Sequence, residues 1–311
     1  MRTQHFLVMA LAAATTITGC KKDESNGTPA PNPAANQYPM RGLFEQNLAD
    51  ATQTFNINAA TGGQVMGTQG TILVFSPNAF LTAGGATVSG TVQVSLVEAL
   101  SIADMIWLNK QTVGNDNGTL KLLRSGGELK LAATQGGNQL RVAPNGLNVM
   151  VPTSTGDGNM RLFSGSEDAT GRMVWDPDTS TVVVVPDSFS TYYAFNADSL
   201  NWINCDYFYN YTNTTMLDAT IPGGQPSDST MVWIAFPTEN AVMQMAHTTA
   251  QTYTTWQVVP VGMSAVVVGL YRNGTSYYSS FNTVSITSGM TVPMTFSPTT
   301  LAQFESDLDG I

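Results

Sequence analysis

Apolar residues along this chain recur mostly at every second position, in short runs separated by Gly, Pro, Asn and Ser. In VSGTVQVSL, Val88, Val92, Val94 and Leu96 fall on one face by the period-two rule of a strand. TILVF at 71–75 is apolar enough for a buried strand, and Gly-Gly pairs at 62, 84, 126 and 136 mark turns. The rhythm breaks at Ser101, where SIADMIWLN predicts a short helix. It resumes with TVVVV at 181–185, TYYAF, TMVWIAF, AVVVGLYR, TSYYSSF, NTVSIT and MTVPMTF. Asn273-Gly274 predicts a type I′ hairpin, and Pro293 an edge strand or a bulge. The chain closes on a predicted helix with Ser297 as its cap, Pro298 in the first turn, Leu301, Phe304 and Leu308 on one face and Gly310 at its end. No fixed-period repeat is present. The fold class this predicts is all-β: two β-sandwich domains in tandem with a short C-terminal helix.

The first forty residues follow another pattern. Arg2 precedes an apolar run from Phe6 to Ile17, which is shorter than the ~20 residues a membrane-spanning helix needs and has the length of a signal-peptide core. Cys20 follows it. A disulfide would have to use Cys205, the other cysteine, and a metal site would have to use His5 or His247, neither of which is near Cys20 in sequence. Ile17-Thr18-Gly19-Cys20 resembles the lipobox of bacterial lipoproteins, which implies lipidation of Cys20 and a membrane partner through that anchor. Acyl chains hold by about 0.8 kcal/mol per buried CH₂, so two or three of them make a permanent anchor. Residues 21–40 hold four prolines and few apolar side chains, the composition of a disordered tether. The expected organisation is a signal peptide at 1–19, lipidated cysteine and tether at 20–40, a first sandwich at 41–155, a connecting β segment at 156–200, and a second sandwich with terminal helix at 201–311.

Further stretches carry resemblances. KKDE after Cys20 resembles the export signal of Bacteroidota lipoproteins, which implies an outer-membrane location facing the cell exterior. GTILVFSPNAF, VSGTVQVSLVEALSIADMIWLNKQT and LLRSGGELKLAAT together resemble a β-sandwich module of Bacteroidota lipoproteins, related to the ZU-type sandwich, over roughly residues 52–152. The Val97–Met105 segment and a Gly126-Gly127-Glu128 turn are its most specific parts, and Ser76 stands where the family usually has proline. The resemblance implies a non-catalytic scaffold with no catalytic residues. LNWINCDYF from Leu200 resembles a signature that often follows this module. Asp198-Ser199-Leu200 and Asp228-Ser229-Thr230 match the O-glycosylation acceptor of the same bacteria, implying modification at Ser199 and Ser229.

Charge narrows the partners. The chain carries net −10, and from Met173 onward Arg272 is the only base against eleven acids. Such a surface repels phosphate backbones, so nucleic acid is not an expected partner. A hydrolase would have to use Cys205 or His247 with a carboxylate. Cys205 lies in an apolar run where burial makes a thiol inert, and His247 has no Gly-x-Ser-x-Gly motif to serve. Asp176 with Asp178, or Asp307 with Asp309, could pair for glycoside hydrolysis, but WDPDTS reads more simply as an Asx-type turn. NDNG at 115 and DLDG at 307 gather oxygens without extending into a twelve-residue calcium loop. No metal, cofactor or catalytic residue is assigned. The remaining candidate is DYFYNY, where Tyr207, Tyr209 and Tyr211 would share one face of a regular strand about 7 Å apart and meet a glycan or protein ligand.

Overall fold

A computed structural model describes residues 40–154, 156–168, 171–186, 191–223 and 229–311. Cys20, the signal segment and the tether up to residue 39 lie outside the described residues; Met40, expected to end the tether, is instead buried in a core with the helices. The described chain is all-β with three short helices, α1 (Arg41–Asp50), α2 (Ile102–Trp107) and α3 (Leu301–Leu308). No helix among the described residues is long and apolar enough to cross a membrane.

The alternating pattern places each strand on its core. An eight-stranded sheet contains, among others, Gln53–Asn58, Thr91–Ala99, the seventeen-residue strand Thr119–Gln135, Trp202–Phe208, Arg161–Glu167 and Met173–Thr181, in that spatial order. Val92, Val94, Leu96, Leu129, Leu131, Ile203 and Cys205 point from it into a core shared with Leu73, Phe75, Val149, Val151, Tyr193 and Phe195 of a five-stranded sheet. Burial of apolar area at about 25 cal/mol per Å² drives this packing. The strand at Trp202, expected to open the second domain, pairs with Thr119–Gln135 on one side and Arg161–Glu167 on the other, inside the first sandwich.

The second sandwich packs a four-stranded sheet, with Pro293 on its edge strand, against a five-stranded one. Thr230–Phe236, in the latter, is buried at every position. Its even residues Val232, Ile234 and Phe236 face the core between the two sheets, while Met231, Trp233 and Ala235 face a third core built from the helices. A strand covered on both sides reads as an unbroken apolar run, and TMVWIAF does.

The two sandwiches are stitched together by residues 109–112. The Thr112 amide donates to the Val242 carbonyl at 2.9 Å and the Val242 amide to Thr112 Oγ1 at 2.8 Å. Gln111 accepts from the Gln244 amide at 3.0 Å and donates to the Met173 carbonyl at 2.8 Å. Val113 and Leu122, from the first sheet, complete the core of the second sandwich.

Several local expectations need correction. Ser297–Thr299 is a strand paired with Tyr277–Ser279, so the α3 cap is Thr300, whose side chain accepts from the Gln303 amide at 3.1 Å. Asn273 pairs with Ser276 across the hairpin, leaving Gly274 as the residue with positive φ. The type I′ signature belongs instead to Asn117-Gly118, with φ of 51° and 89°, between Asp116 and its partner Thr119. NDNG is thus mainly a hairpin turn. The α2 helix forms as predicted, closed by a capping box between Ser101 and Asp104. Helix α1 was not signalled, because its Met40 cap position offers no side-chain hydrogen bond.

Candidate functional site

Tyr207 belongs to the regular strand, which ends at Phe208; Tyr209 and Tyr211 lie beyond it. The row is consequently uneven. Ring centroids are 6.2 Å apart between Tyr207 and Tyr209 and 4.5 Å between Tyr209 and Tyr211, with tilts of 36° and 34°. Phe208 turns the other way, edge-on to Phe163. Tyr207 packs partly on the first core and Tyr211 partly on the second, so the run crosses from one sandwich to the other.

Arg124 anchors the row. Its guanidinium lies 5.6 Å from the Tyr207 ring and 5.4 Å from the Tyr209 ring. The Nε donates to Glu239, a buried carboxylate, and a terminal nitrogen reaches Asp157 at 3.5 Å. That Glu239 contact holds Arg124 protonated more firmly than usual, against the opposing effect of burial. Asp157 is held below the ordinary carboxylate range by hydrogen bonds from the Asn159 amide and side chain and by the Arg124 charge. Burial raises both the Tyr207 and Tyr211 hydroxyls, and the Tyr211 oxygen is buried without a hydrogen-bond partner. With one arginine between two carboxylates, the cluster has no cation left to recruit an anion. Ring faces are taken up by Arg124 and by each other, the Tyr211 oxygen is buried and the Tyr207 hydroxyl is engaged by Asp157, so the cluster offers a ligand mainly ring edges.

The other candidates are scattered. Cys205 is 1% exposed in the first core, and burial, then the neighbouring Asp206, push its thiol well above the usual range. His247 is exposed on the Ala246–Thr249 strand of the second sandwich, its ring 5.2 Å from Tyr253. The structure does not bring the two together. Ser199 and Asp198 are exposed, Ser229 is half-buried, and Asp228 lies outside the described residues. Asp176 accepts from Asn115 at 2.9 Å, and Asp178 accepts from the Ser180 amide at 2.7 Å, an Asx bond set within the strand Met173–Thr181.

A second polar cluster escaped the sequence pattern. Gly126-Gly127 is not a turn but a β-bulge in the middle of Thr119–Gln135. Ser125 pairs with Asp206 and Glu128 with Asn204, so two residues on one strand oppose the single residue Cys205 on the other. Gly127 has φ of 119°, and a Cβ on Gly126 would lie 2.7 Å from the Cys205 carbonyl oxygen and from the Tyr193 ring. Only glycine fits both positions. The bulge rotates Glu128 onto the face of Ser125, Asn204 and Asp206, opposite to Cys205. All four are buried. Nothing in the residue spacing reveals this, since in an unbulged strand 125 and 128 face opposite sides.

Compared with models of protein families and with curated proteins, the chain matches none of them.

Proposed function

We propose that this chain is a lipid-anchored lipoprotein of the outer membrane, facing the cell exterior, that acts as a non-catalytic binding or structural module for a glycan or protein ligand. Its first sandwich is read as a ZU-type-like module of the Bacteroidota kind, anchored through Cys20. The observation that carries the binding role is the Tyr207–Tyr209–Tyr211 cluster, fixed around Arg124 and half-exposed where the two sandwiches meet. Aromatic edges already immobilised by neighbours lose little entropy when a ligand arrives. The acidic second half favours a neutral or cationic partner.

The experiment is a comparison of wild type with Tyr209→Ala in binding to an array of surface and environmental glycans and to intact cells, alongside the melting temperature of each. Loss of binding by about tenfold, near ~1.4 kcal/mol, with melting temperature nearly unchanged supports the reading. A large fall in melting temperature with affinity intact in the folded fraction assigns the row to stability alone. Labelled fatty acid entering wild type but not Cys20→Ala tests the anchor independently.

A further inference from the structure

Glu128 and Asp206 are both fully buried. Asp206 Oδ2 accepts from Asn204 Nδ2, and Ser125 Oγ donates to Asn204 Oδ1 at 3.2 Å while accepting from the Gly127 backbone amide at 3.1 Å. Three oxygens are left over: both of the Glu128 carboxylate and Oδ1 of Asp206 have no hydrogen-bond partner. Asn204 pairs with Glu128 and Asp206 with Ser125 across the bulge, so the two acids sit diagonally on one face of neighbouring strands. The Lys110 ammonium acts on Glu128 but is engaged 2.7 Å from Glu167. Burial pushes both carboxyls well above the ordinary range, opposed at Asp206 by hydrogen bonds from Ser125, the Gly126 amide and Asn204, so the pair is neutralised by protons or by a cation.

We propose that Glu128, Asp206, Ser125 and Asn204 form a structural site for one hard divalent cation of the calcium type, enclosed in the first sandwich beside the Gly126-Gly127 bulge. A proton shared between the two acids would satisfy one oxygen of each and leave the other Glu128 oxygen bare. A cation takes all three orphan oxygens and matches the two negative charges. The donor chemistry selects the metal. Carboxylate, hydroxyl and amide oxygens suit a hard ion, and the only thiol nearby, Cys205, points to the opposite face. Among the described residues no three of His, Cys, Asp and Glu converge, so the site depends on its neutral oxygens. Calcium takes about six to eight oxygens in flexible geometry, and backbone carbonyls or water complete the shell. The bulge gives the site its local cause: it is the device that brings Glu128 to the side of Asp206.

An enclosed ion enters as the chain folds, so the test is refolding. Purified full chain is refolded from urea with calcium or with chelator, desalted, and assayed by elemental mass spectrometry and thermal melting. Wild type refolded with calcium should retain about one calcium ion per chain and melt ~5 °C above the chelator-treated protein. Glu128→Gln and Asp206→Asn should retain none and melt at one temperature in both conditions. Should neither variant fold, the wild-type metal content decides alone. Absence of bound metal from wild type, with melting indifferent to calcium, overturns the site and favours protonated acids.

Discussion

Glu98 shows how much of a loop one buried carboxylate can hold. Its oxygens accept from the Gln69 amide at 3.0 Å, the Thr71 amide at 2.9 Å and the Gln53 side chain at 2.9 Å. Gly67 is part of the same arrangement, since a Cβ there would lie 2.4 Å from the Glu98 carboxylate. Removing the carboxylate strands the buried Thr71 amide, so Glu98→Ala should lower unfolding free energy by about 2–3 kcal/mol in urea titration. The Cys205 thiol offers a residue-scale test of another kind. With its pKa raised by burial and by Asp206, it should resist thiol reagents in the native protein at neutral pH and react at once in denaturant. Rapid labelling of the folded chain at Cys205, measured in a Cys20→Ala background, would contradict its place in the core.

At the scale of the element, the two possible caps of α3 separate cleanly. Thr300→Ala should cost about 1 kcal/mol by chemical denaturation, whereas Ser297→Ala, exposed in its edge strand, should cost close to nothing. Local chemistry alone could not choose between them: both are hydroxyl residues, and Pro298 suits a helix start as well as the edge strand it occupies opposite Tyr278. The same limit explains the Asn-Gly pairs. Asn117-Gly118 and Asn273-Gly274 look alike in sequence, and the pairing of their flanking strands decides which residues form the turn. Where one face alone is buried, as at residues 91–96, the alternation was fully legible; beyond it Val97 and Ala99 are buried on the other face. The Glu128 cluster was not, because a bulge is a relation between two strands 75 or more residues apart and leaves only two glycines in the sequence.

On the scale of the molecule, the boundary expected at residue 201 falls before a strand of the first sandwich. A chain ending at residue 200 would lose the strand between Thr119–Gln135 and Arg161–Glu167, together with Ile203 and Cys205 of the first core. It should show no cooperative thermal transition by calorimetry, while the intact chain should melt in one step. The all-β class and the run of short strands were readable from periodicity and turn residues. The way the halves share strands was not, since Val113 and Leu122 carry no mark of belonging to the core of the second sandwich.

The strand Thr119–Gln135 reaches from that second core, through Leu122, to the first, through Leu131 and Ala133. At roughly 3.3 Å per residue its seventeen residues span ~55 Å, unusually long for a strand. Such a member behaves as a girder. Tension applied to the two ends of the chain is shared along it as shear across several hydrogen-bonded neighbours, and neither sandwich can part without disturbing the other. Stretched in an optical trap, the protein should therefore give way in a single rupture where two independent beads on a string would give two.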